Sequence, residues 1–200
     1  MSEQVSVYLD FDNTIVNGQS HEIFFGLFTL NAWMRLMKFL LSNYLAGVYI
    51  ATFTQLLFLV YQNSWELNMK RYGEELGRHI RTDLWDYLKA NFKFDDVTIV
   101  SQNLEIFINP ANSFLPIKKV YSRKWLNLRP WERITQDLDG NDKASFIDGE
   151  KSTVQKVMVT DNPDDWVCKE VVDILIMVCT KDNFGSSLER VADVRFSDKK

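Results

Sequence analysis

The stretch Val5-Ser6-Val7-Tyr8-Leu9-Asp10-Phe11-Asp12-Asn13-Thr14 decides how the chain is read. Its first five residues, mostly β-branched or aromatic, have the character of a short strand buried on both faces. The residues that follow break strands. On an extended chain, positions two apart point the same way, so Asp10 and Asp12 face one site. In an open α/β sheet, ligands bind at the carboxyl end of a strand. Two close carboxylates repel, which raises one pKa or recruits a cation, and the asymmetry separates an ionised nucleophile from a protonated acid. The same residues equally make an Asx-type turn carrying two solvated acids, because Asp and Asn are ordinary turn formers. A calcium loop is excluded by spacing. Counted from Asp10, the positions that need Gly and Glu hold Ile15 and His21, and counted from Asp137 they hold Asp142 and Asp148.

A second acidic turn, Thr160-Asp161-Asn162-Pro163-Asp164-Asp165, follows the apolar run Lys156–Thr160. Two such turns place three or more carboxylates along one sheet edge, a hard-oxygen set suited to Mg²⁺. Between them in sequence, Val97–Val100 reads as a strand ending in Ser101, with a helix expected over Asn103–Ile108 and stopped by Pro110. Ser101 is either a plain N-cap or a hydroxyl that joins helix N–H groups around a phosphate. Further strands are expected at Ile117–Tyr121, Asp173–Cys179 and Ala192–Phe196. From Glu22 to about Phe92 the texture is helical and free of proline. Met69, Tyr72, Leu76, Ile80, Leu84 and Leu88 recur at helical spacing, which predicts an amphipathic helix through that segment. The fold class is therefore α/β, a Rossmann-like and mainly parallel sheet interrupted after its first strand by helices.

These motifs resemble the haloacid dehalogenase (HAD) superfamily, and within it the phosphoserine-phosphatase-like branch with an all-helical cap. VYLDFDNTIV matches its first motif, VTIVSQNLEIFINP its second, Lys143 in GNDKASFI its third, and KVMVTDNPDDW its fourth, in the family's order. The resemblance implies a HAD-like core over residues 1–17 and 93–200, with residues 18–92 as the cap. It further implies a hydrolase that cleaves a small-molecule phosphomonoester through an aspartyl-phosphate on Asp10, with Asp12 as general acid and then base. Mg²⁺ would be held by Asp10, the Asp12 carbonyl and Asp161; Ser101 and Lys143 would bind phosphoryl oxygens, and Asp165 would play a supporting part. Asp12 favours phosphate chemistry over dehalogenation, which has no alkoxide to protonate. The chain departs from the family at Thr160, where Gly is common, and Asp164 competes with Asp165. Lys151 competes with Lys143, although only ten residues separate it from Asp161, short for a helix and a strand.

Composition narrows the alternatives. With 23 Lys+Arg against 27 Asp+Glu and a net charge of −4, there is no basic surplus for nucleic acid. Two cysteines make neither a disulfide framework nor a four-ligand zinc site, and the first residues lack a secretory leader, so a cytoplasmic location is expected. His21 and His79 are not spaced as a metal pair; His21 sits where the helical segment begins. Between Ile23 and Trp65 only Arg35 and Lys38 are charged, and Phe39–Trp65 carries no charge. That run is long enough to span a membrane, but Ser42, Asn43, Thr52, Thr54, Gln55 and Gly47 interrupt it. It reads instead as two cap helices that are buried or pair in a homodimer. Two other functions stay open: a membrane-surface phosphatase acting on a lipid phosphate, and a non-catalytic interaction protein that keeps the fold.

Overall fold

The computed structural model describes residues 4–44, 46–123, 140–151, 154–180, 183 and 185–197. Among these residues six strands form one parallel sheet: β1 (Val5–Leu9), β2 (Val97–Leu104), β3 (Ile117–Arg123), β4 (Gln155–Thr160), β5 (Ile174–Val178) and β6 (Val194–Phe196). Their order is β3-β2-β1-β4-β5-β6, so the chain winds outward in both directions from β1. The split between β1 and β4 is the topological switch point, where an open α/β sheet leaves a crevice at its carboxyl edge.

The sheet is covered on both faces, as its apolar strands require. Val5, Val7, Leu9, Val97, Ile99, Val157, Val159, Ile176 and Val178 join one buried cluster; Tyr8, Val100, Met158, Leu175 and Met177 join the other. The alternation is the two-residue period of a strand with both sides occupied. The second face is closed by α7 (Gly140–Gly149), the 3₁₀ segment Pro163–Glu170 and α8 (Ser187–Val191), through Ile147, Cys168 and Leu188. Gly140 is required where α7 begins: a Cβ there would lie 2.2 Å from the Asp164 carbonyl oxygen. That close approach seats α7 against the turn after β4.

Between β1 and β2 the chain forms α1 (Ser20–Gly26), α2 (Ala32–Tyr44), α3 (Ala46–Tyr61), α4 (Trp65–Arg78) and α5 (Thr82–Asn91). Their apolar side chains are continuous with the first face of the sheet. Phe24 lies at the heart of this contact, its ring 5.3 Å from both Tyr72 and Phe107 and 5.0 Å from Phe28. Edge-to-face and tilted geometry is what the ring quadrupoles favour. The single helix expected through residues 69–88 is broken at residues 79–81. There Ile80 bridges to Val16, the Arg81 N–H donates to the Ile15 carbonyl, and the His79 carbonyl accepts from Asn17 N–H. Backbone pairing with the loop after β1 overrides an apolar repeat that runs straight through.

The charge-free run forms α3 and the end of α2. Tyr49, Phe53 and Leu57 are buried, but Trp33, Leu36, Phe39 and Leu40 of α2 and Leu59 and Val60 of α3 are exposed. Among the described residues no helix is long and apolar enough to cross a membrane.

Candidate active site

Asp10 and Asp12 follow β1 directly, and the chain then turns through Asn13 at φ 55°, a left-handed conformation that Asn tolerates. A cavity of about 300 Å³ opens here at the carboxyl edge of the sheet. Asp10, Asp12, Ser101, Lys143 and Asp161 line it together with Asn103, so five of the sequence-predicted residues, from four separate segments, meet at one place; the sixth, Asp165, touches Lys143 but does not line the cavity.

Asp10 is buried, its N–H donating to the Val159 carbonyl and its Oδ1 accepting from Phe11 N–H at 2.9 Å. Its Oδ2 lies 3.3 Å from Lys143 Nζ. Burial raises the Asp10 pKa, opposed by the Lys143 charge and the Phe11 hydrogen bond, while the Asp12 charge adds to the rise. Lys143 is wholly buried on α7 and donates to Asp165 Oδ2 at 2.7 Å. Burial alone would lower its pKa, but the facing charges of Asp10 and Asp165 outweigh it and keep the ammonium protonated. Lys151 lies elsewhere, beside Gln4, Val5 and Lys119 at the amino ends of the strands. Of the two candidate lysines, only Lys143 reaches the acidic site.

The turn after β4 resolves in the same way. Asp165 is fully buried and Asp164 is exposed, its N–H donating to Asn162 Oδ1. Thr160, which stands where Gly is common, is buried and uses its hydroxyl: it donates to Asp165 Oδ2 at 2.6 Å and accepts from Asn162 N–H. Asp165 Oδ1 is buried without a hydrogen-bond partner. Asp161 accepts from Thr14 Oγ1 at 2.9 Å, and its own N–H donates back to the same hydroxyl. Burial, with the Asp10 charge adding to it, raises the Asp161 pKa to about 7. Asn183 fixes the backbone of this turn by donating to the Asp161 carbonyl.

Ser101 is not the N-cap of a helix. Strand β2 continues to Leu104, and α6 (Glu105–Ile108) begins after it with no side-chain cap. Between Val100, which pairs with Tyr121, and Leu104, which pairs with Arg123, four steps on β2 oppose two on β3. This bulge puts Ser101 and Asn103 on the cavity, a common use of bulges beside functional sites. Asn103, Ser20, Thr14 and Thr160 are site residues that motif reading missed or left without a role.

The whole arrangement is an α/β sheet whose carboxyl edge gathers acids, a hydroxyl and one buried lysine. No protein-family model and no curated protein sequence matches the chain. Solved structures do. A HAD family hydrolase from Salmonella enterica serovar Typhi superposes with a TM-score of 0.62 at 10% identity, over 96% of this chain and 66% of that one. A phosphoserine phosphatase in a phospho-aspartyl intermediate analogue form matches at 0.57 and 15% identity, over 100% of this chain and 96% of its own. A substrate-bound phosphoserine phosphatase matches at 0.56 and 15%, over 98% and 94%. The chain thus shares its fold with a HAD family hydrolase and with phosphoserine phosphatases.

Proposed function

We propose that the protein is a Mg²⁺-dependent phosphatase that hydrolyses a small-molecule phosphomonoester. The observation that carries this reading is the convergence of Asp10, Asp12, Ser101, Lys143 and Asp161 on one cavity at the switch point. Asp10 attacks phosphorus, the P–O bond to the alcohol breaks, and the leaving oxygen takes its proton from Asp12. Asp12, now ionised, accepts a proton from the water that hydrolyses the aspartyl-phosphate, so one hard step becomes two easier ones. Ser101 and Lys143 bind the phosphoryl oxygens, the electrostatic part of the work in phosphoryl transfer. Asp165 holds Lys143 in place. The inserted segment 18–92, of which Gln19 lines the cavity, acts as the cap that selects the substrate and excludes water.

The residues present suit a hard cation. Among the described residues no three acidic, histidine or cysteine side chains form a ready ligand cluster. Asp10 and Asp161, however, line one cavity, where the Asp10 charge adds to the cost of ionising Asp161, and the Asp12 carbonyl adds an oxygen of the right hardness. When bound, Mg²⁺ offsets the repulsion between the Asp10 carboxylate and the anionic ester. Phosphate release from a panel of phosphomonoesters with Mg²⁺ tests the reading, with Asp10→Asn alongside; equal turnover by both proteins ends it.

The exposed apolar face of α2 favours a second reading, a lipid phosphate taken at a membrane surface. Trp33, Leu36, Phe39 and Leu40 are each at least 36% exposed, and the charges on that helix, Arg35 and Lys38, are both positive, Lys38 being paired with Glu22 of α1. Such a helix suits the interface of an anionic bilayer. Co-sedimentation with phosphatidylglycerol vesicles that weakens in Trp33→Glu supports it; protein left in solution, or a dimer that buries the same face, rules it out.

A further inference from the structure

Asn103 sits where three parts of the site meet. Its Oδ1 accepts from the Leu104 N–H at 2.7 Å, which fixes which end of the amide is oxygen. The Nδ2 group therefore faces the other way, and both of its hydrogens are engaged. One goes to Asp12 Oδ2 at 2.6 Å and the other to Ser20 Oγ at 2.7 Å. Asp12 Oδ1 in turn accepts the Ser20 backbone N–H at 2.7 Å. Asp12 is thus gripped at both oxygens, by Asn103 from β2 and by Ser20 from the first residue of α1. The Asn103 N–H also donates to Ser101 Oγ at 3.2 Å, which occupies a lone pair of that hydroxyl and leaves its proton for the cavity. Asn103 itself is 6% exposed.

We infer that Asn103 is the positioning residue of the reaction: it sets the orientation of the Asp12 carboxyl toward the leaving oxygen. The inference rests on the phosphatase reading above. With every polar hydrogen of its amide committed to protein partners, Asn103 has none to offer the substrate. Its effect passes through Asp12, whose carboxyl would otherwise be held at Oδ1 alone, by the Ser20 N–H, and could pivot about that contact. Because Asn103 also binds Ser20, the grip ties the acid to the start of the inserted helices. Movement of α1 relative to β2 would loosen Asp12.

In the first step the bond from phosphorus to the alcohol oxygen breaks, its electron pair stays on that oxygen, and Asp12 supplies the proton. An alkyl alkoxide needs that proton, whereas p-nitrophenolate leaves well without it. General-acid assistance is worth roughly 10²–10⁴-fold where it is needed. Asn103→Leu keeps the approximate volume and removes both donors.

The experiment compares kcat/KM for glycerol 2-phosphate and p-nitrophenyl phosphate, with Mg²⁺, in wild type and Asn103→Leu. The expected result is a fall of about tenfold or more on the alkyl ester against less than about threefold on the aryl ester. The ratio of the two is independent of how much of the variant is folded, so partial misfolding does not mimic it. Asn103→Asp, which keeps the shape but places an acceptor against Asp12, should shift the ratio in the same direction. An equal fall on both esters, or no fall on either, overturns the positioning role while leaving the phosphatase reading intact. A wild-type protein that hydrolyses neither ester, or the aryl ester alone, removes the acid chemistry on which the role depends.

Discussion

Lys143 donates to Asp165 across 2.7 Å at a point where neither side chain meets solvent. Asp10 stands 3.3 Å from the same ammonium, so one cation is shared by two buried acids. A buried pair is a weak source of net stability, yet removing one partner strands the other charge in a poor solvent, at a cost of about 3–5 kcal/mol. Lys143→Met should therefore lower the unfolding free energy by about that much as well as abolish phosphate release. Urea denaturation reads the first effect. A loss under about 1 kcal/mol would mean that the ammonium is solvated rather than enclosed.

Thr160 offers a gentler probe of the same cluster. Its hydroxyl donates to Asp165 Oδ2 and accepts from Asn162 N–H, so Thr160→Val leaves both short of a partner while keeping the volume. An unsatisfied buried group costs about 1–3 kcal/mol. The variant should be destabilised within that range in urea, and Thr160→Ser should recover most of the loss. If Val and Ser behave alike, the hydroxyl has no part in holding Asp165.

The sequence discloses those parts of the site that depend on local order, and hides those that depend on pairing across the chain. β1 and β4 are apolar runs that end in acids, so Asp10, Asp12 and Asp161 can be picked out from a few neighbouring residues. Asn103 cannot, because its partners Asp12 and Ser20 lie 91 and 83 positions away and only a bulge in β2 turns it inward. Nor does the repeat of apolar residues from Met69 to Leu88 reveal the break at residues 79–81, since Ile80 continues the period while its backbone pairs with Val16. An acidic residue in the first turn of α5, Asp83, is the one local sign of a new helix start there. Thr160 shows the opposite lesson. As a departure from a motif it weakens the match, yet the structure gives its hydroxyl two partners.

Cys168 should be unreactive in the folded protein. Cys168 is fully buried, and burial raises its thiol pKa to about 12, with the Asp165 charge adding to the rise. A raised pKa means that the thiol stays protonated, and the thiolate is the nucleophile. At pH 8 the folded protein should leave Cys168 unmodified by iodoacetamide, with alkylation appearing only after denaturation. Peptide mass mapping reads this directly. Rapid labelling of Cys168 under native conditions would show that the 3₁₀ segment Pro163–Glu170 opens readily.

That segment also leaves no room for a Cβ at Gly140. A Cβ on residue 140 would fall 2.2 Å from the Asp164 carbonyl oxygen and 3.0 Å from a Val167 methyl. The first of these obstacles is backbone, which cannot swing aside as a side chain would. In Gly140→Ala, α7 or the turn after β4 must therefore move, and Lys143 is three residues along α7. Overpacking of this kind costs about 1–3 kcal/mol. The functional loss should be larger than the stability loss suggests, because Lys143 and Asp165 are carried by the two elements forced apart. Phosphate release from an aryl ester should fall at least tenfold in a variant still folded by circular dichroism at 25 °C. Wild-type turnover in Gly140→Ala would show that the contact between α7 and the turn after β4 does not set the geometry of the site.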